Sequence, residues 1–182
     1  PVLLIRHPFE SAASMRTRDE MPDSAGLLLW LQYNLAAEQG SRTLQRTLLF
    51  YDDLLSDCPG AMDRIEARLG IALPAAGPAA AAEAARFLSP SLRHERALDI
   101  RFTDDPHVSR WVRTVYAWFE RGRDGQVPDD PRELDAVRVE LAEAETLFGG
   151  SLAWHQRLEQ QRFVHVSATA RHWEEQAASL EG

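Results

Sequence analysis

Arg6 follows four apolar residues, Val2 to Ile5, and stands two places before Pro8, with Ser14 eight positions further on. An apolar run of this kind reads as a buried strand, and Pro8 suits the first position of a helix. Arg6 is therefore placed where a strand hands over to a helix. The free N–H groups and positive dipole end of a helix favour an anion at such a junction. Ser14 falls about two turns along, on the side of Ser11, so a guanidinium and a hydroxyl could grip one phosphate from two directions. The plain alternative is a solvated Arg6 paired with Glu10.

Other chemistries find less support. The six His residues (His7, His94, His107, His155, His165 and His172) show no spacing with Cys or carboxylates that suits a metal. His7 reads as a helix-start side chain. Cys58, beside Pro59, also reads as a helix start and has no activating partner in sequence. Ser11 and Ser14 lack the G-x-S-x-G turn of a hydrolase, and no Walker A loop is present.

The elements that must position Arg6 and Ser14 follow from periodicity and caps. A helix is expected from Pro8 to about Arg18, and "EMPDSAG" breaks it. Asp23 or Ser24 can cap the next helix, which is apolar on most sides and ends near Gly40. Thr47 to Tyr51 reads as a second strand, parallel to the first because helices intervene. "SDCPGAMDRIEARLGI" has a cap, Pro59 in the first turn, Met62, Ile65 and Leu69 on one face, and Gly70 at its stop. After a Pro-, Gly- and Ala-rich linker a short helix ends at "SPS". Two further helices, each opened by Asp-Asp-Pro and closed by Gly, carry Val108, Trp111, Val115, Trp118 and Phe119, then Leu134, Val137, Leu141, Ala144 and Phe148. Residues 151–182 read as a long polar helix with a ragged apolar stripe. The expected organisation is an α/β part over 1–74, a helical part over 75–150 and the polar helix over 151–182, helix-rich overall.

Four of these segments resemble sulfotransferases that use 3′-phosphoadenosine 5′-phosphosulfate (PAPS). "RHPFESAAS" is similar to the family's 3′-phosphate-binding segment, in which an Arg at a strand end is followed eight positions later by Ser. "LLFYDDLLSD" is similar to a strand ending in Tyr, an acid, Asp and Leu, whose Tyr lies near the cofactor's adenine. "LLLWLQYNLAAEQGSR" has the Trp-x-x-Tyr helix common in bacterial members, and "FLSPSLRHE" resembles the stretch after their core. The resemblance covers residues 2 to 96. It implies an incomplete P-loop-like sulfotransferase core in which Arg6, Ser14 and Tyr51 bind PAPS or adenosine 3′,5′-bisphosphate. The implied reaction moves a sulfuryl group to a hydroxyl or amine of a carbohydrate, small metabolite or protein side chain. No segment matches the family's 5′-phosphosulfate turn, its base-bearing segment or its Arg-Lys-Gly motif, of which "ERGRDG" is a faint echo. The expectation is a C-terminal portion, inactive alone, with no catalytic residue and no metal of its own. A non-catalytic scaffold on a degenerate sulfotransferase fold, associating through residues 151–182, is the competing expectation.

Bulk composition fits an ordinary globular chain. The 182 residues are 45% hydrophobic and 26% charged, with net charge −8. All 20 basic residues are Arg and none is Lys, a bias expected of a GC-rich bacterial genome, so any anion site must be built from the rigid guanidinium fork. The acidic balance argues against a nucleic-acid surface, and no apolar run is long enough to span a bilayer. A single Cys excludes an internal disulfide and fits a reducing, cytoplasmic setting. The first strand's unpaired edge points to swapping or a homodimer, and the polar helix over 151–182 to a linker joining another domain.

Overall fold

The computed structural model describes residues 1–74, 105 and 108–150. These residues are helix-rich around a small parallel sheet of two strands, β1 (Val2–Ile5) and β2 (Thr47–Phe50). Val2 lies opposite Thr47, and Ile5 opposite Phe50. Two helices, α1 (Pro8–Asp19) and α2 (Asp23–Ser41), make the crossover between the strands. Next come α3 (Tyr51–Ser56), α4 (Cys58–Leu69) and α5 (Arg110–Glu120). The chain is helical again over 132–150.

The chain divides into two compact units, Pro1–Val137 and Arg138–Gly182. In the first, β2 is buried at every position, whereas β1 alternates. Leu3 and Ile5 are buried, and Val2 and Leu4 are 39% and 50% exposed. The expected full burial of β1 is thus corrected: helix packing covers one face, and the other is open. On β2, Leu49 packs with Ala61 and Ile65 of α4, flanked by Leu54, Met62 and Leu69. Trp30, Leu31 and Leu35 of α2 and Val112, Val115, Tyr116 and Phe119 of α5 are buried in the same unit, with Leu134 and Val137. In the second unit, residues 138–150 are described, and Val139, Leu147 and Phe148 are exposed there.

Helix termini show which local signals succeeded. Asp57 caps α4 by accepting from the Gly60 N–H, and Gly70 closes it in the left-handed conformation. Neither Asp23 nor Ser24 caps α2. Pro22 holds that place, and Asp23, in the first turn, pairs with Arg16 at 2.6 Å. Tyr51 opens α3 instead of ending β2. Ser109, not the Asp-Asp-Pro signal, caps α5, which leaves Val108 outside the helix. The glycines at 149 and 150 do not stop the last helix before them. The linker and short helix expected before "SPS", the "FLSPSLRHE" segment, the polar helix over 151–182 and five of the six His lie outside the described residues. No helix among the described residues is long and apolar enough to cross a membrane.

Candidate functional site

Parallel pairing sets Arg6 and Tyr51 side by side, since each directly follows the paired residues Ile5 and Phe50. The carboxyl ends of parallel strands are where open α/β sheets form their ligand crevices. The Arg6 guanidinium lies over the Tyr51 ring, 5.0 Å from its centroid. Its Nε stands 3.5 Å from a Glu10 carboxylate oxygen. That separation is long for a charge-assisted hydrogen bond, and this buried Nε makes no hydrogen bond.

Neighbouring groups fix the Arg6 backbone. The Trp30 indole Nε1 donates to the Arg6 carbonyl at 2.9 Å. His7 is buried and is the N-cap of α1, its Nδ1 accepting from the Phe9 N–H at 3.2 Å. Accepting there requires a neutral imidazole unprotonated at Nδ1. The His7 ring also meets the Tyr116 ring edge-on at 5.0 Å. The expected role of His7 as a helix-start side chain is what the structure shows. One first-turn N–H of α1 is accordingly taken by the chain's own cap.

Ser14 sits two turns into α1 and is half-buried. It shares a stripe of the helix with Glu10, four residues earlier. No hydrogen bond joins Ser14 to Arg6 among the described residues. The strand ends therefore unite Arg6 with Tyr51, while Ser14 lies one turn beyond Glu10. The Arg6–Glu10 ion pair, the plain alternative, is present.

A second guanidinium at the strand ends was not expected. Arg123, in the turn after α5, lies over the Phe50 ring at 4.6 Å. It pairs with Asp53 at 3.1 Å, Glu120 at 3.6 Å and Asp52 at 3.8 Å. Burial works against its charge, but Asp53, Tyr116 and Asp52 outweigh that and hold its proton more firmly than usual. Burial, with Glu120 adding to it, pushes the Tyr116 hydroxyl well above an ordinary tyrosine, against the opposing effect of Arg123. At neutral pH this phenol stays protonated and is not a base. The turn is anchored by the Gly125 carbonyl, which accepts from the Thr47 hydroxyl at 2.8 Å and the Leu48 N–H at 3.3 Å. "ERGRDG" reads locally as a helix stop, which it is; its contact with β2 spans about seventy residues and has no local signal. Cys58 is a free thiol at the first position of α4. Among the described residues no group of three or more His, Cys, Asp or Glu is arranged to hold a metal.

Carboxylates at this rim are engaged with arginines, and two guanidinia lie on two aromatic rings. Among the described residues the rim shows no nucleophile–base pair. No family model, curated protein or solved structure matches the chain.

Proposed function

We propose that this chain supplies the adenosine 3′,5′-bisphosphate-binding part of a PAPS-dependent sulfotransferase. Arg6 takes the 3′-phosphate with help from Ser14, and Tyr51 lies beside the adenine. The observation that carries this reading is the Arg6 guanidinium over the Tyr51 ring at the carboxyl ends of two parallel strands, joining two of the segments on which the family resemblance rests. Trp30 of the Trp-x-x-Tyr helix adds to it by holding the Arg6 carbonyl.

In the proposed reaction the acceptor loses its proton to a base and its oxygen or nitrogen bonds to sulfur. The sulfur–oxygen bond to the phosphate breaks, leaving adenosine 3′,5′-bisphosphate. Arg6 and Ser14 contribute by positioning the donor, an effect that acts on binding and orientation rather than on proton transfer. Neither residue transfers the group.

Calorimetric titration with adenosine 3′,5′-bisphosphate and with adenosine 5′-monophosphate tests this reading. The bisphosphate is expected to bind at least about tenfold more tightly, the scale of one charge-assisted contact. The Arg6→Ala variant should lose that preference while keeping its circular dichroism spectrum. Equal binding of both nucleotides, or of neither, overturns the proposal.

A further inference from the structure

Arg6, Glu10 and Ser14 recur at intervals of four, and Glu10 and Ser14 lie on one stripe of α1. One helical turn, about 6 Å, separates Glu10 from Ser14. A phosphate reaching from Arg6 to Ser14 has to pass over Glu10, whose side chain is only 13% exposed and points at Arg6. Two anions would then share one guanidinium. Resting on the proposed nucleotide site, we infer that Glu10 is the site's built-in counter-ion: it occupies Arg6 when the site is empty and weakens binding of the 3′-phosphate.

Three features of Arg6 support this assignment. Its guanidinium is already oriented by the Tyr51 ring, so Glu10 is not needed to aim it. Its buried Nε makes no hydrogen bond, so the pair with Glu10 leaves that donor unused. Finally, the 3.5 Å separation marks a contact of charges rather than a closed fork, and such a contact is the easier to exchange.

The test is titration of wild type, Glu10→Gln, Glu10→Asp and Arg6→Ala with adenosine 3′,5′-bisphosphate and adenosine 5′-monophosphate. Glu10→Gln keeps the shape and removes the charge. It should tighten the bisphosphate about tenfold, the scale of relieving one like-charge contact, and leave the monophosphate unchanged. Glu10→Asp keeps the charge and should show no such gain. A Glu10→Gln variant that binds the bisphosphate no better than wild type overturns the inference. If Arg6→Ala still loses the bisphosphate, the nucleotide reading survives that failure. If wild type and Arg6→Ala bind alike, the nucleotide reading fails and this inference with it.

Discussion

Arg6 is held from three directions at once, by the Tyr51 ring, the Glu10 carboxylate and the Trp30 indole on its carbonyl. These contacts act on different properties. Tyr51 faces the guanidinium, Glu10 offsets its charge and Trp30 fixes the chain beneath it. Arg6→Lys keeps the charge but loses the planar fork, so it should bind adenosine 3′,5′-bisphosphate nearly as poorly as Arg6→Ala. A Lys variant at wild-type affinity, measured by the same titration, would show that charge alone suffices. Trp30→Phe removes one buried donor and leaves the Arg6 carbonyl short of a partner. It should cost about 1–3 kcal/mol, read from urea unfolding. At this scale the residue pattern showed Arg6 and Ser14 as candidates, because a strand end and a helical spacing are local facts, whereas Tyr51 entered only through the family resemblance. The stack between Arg6 and Tyr51 is not local, since it follows from parallel register across 45 residues. Arg123 is harder still: only its contact with β2 distinguishes it from the other arginines near a helix end.

Elements show the same division between local and tertiary causes. Both strands, α1, α2, α4, α5 and the helix over 132–150 were legible from apolar spacing, and the caps of α4 were readable residue by residue. Caps that compete with one another were not. Ser109 lies inside the stretch that Asp-Asp-Pro seemed to open, and the α1–α2 turn rests on a Pro22 start and a left-handed Glu20 at φ 54°. Glu20 is exposed and pays the steric penalty of that conformation, so Glu20→Gly should raise stability by about 0.5–1 kcal/mol. A fall in melting temperature would contradict it. Gly26 makes the opposite case. Within an α-helix, Gly→Ala ordinarily gains up to about 1 kcal/mol. Here a Cβ would lie 2.9 Å from the Ala12 Cα and 3.1 Å from its Cβ. The neighbour is backbone and cannot swing away, so α1 and α2 must separate. Overpacking of that kind costs about 1–3 kcal/mol and outweighs the propensity gain. Gly26→Ala should therefore lower the melting temperature, a sign no reading of α2 alone would give.

Over the whole first unit, one buried charge network joins parts that the chain keeps far apart. Glu38 of α2 is fully buried and takes Arg42 at 2.9 Å and Arg46 at 3.2 Å. Arg42 continues to Asp135 at 2.6 Å, in the first turns of the helix over 132–150. Arg46 also donates to the Glu38 carbonyl at 2.6 Å and to the Ser41 hydroxyl at 3.0 Å, which closes the turn leading into β2. The hydrogen bonds that Arg42 donates to Glu38 and then to Asp135 hold its proton more firmly than in a free guanidinium. An i,i+4 Glu–Arg pair such as Glu38 and Arg42 is ordinary in a helix and normally contributes only about 0.2–0.5 kcal/mol. Burial changes that scale. Removing the carboxylate opens a cavity and leaves the largely buried Arg46 without its carboxylate, for which about 3–5 kcal/mol is expected. Glu38→Ala should therefore destabilise the protein far more than Asp135→Ala, whose partner Arg42 keeps Glu38 and whose own side chain is half exposed. Urea unfolding of the two variants decides the matter. Similar small losses in both would show that the network is solvated in solution.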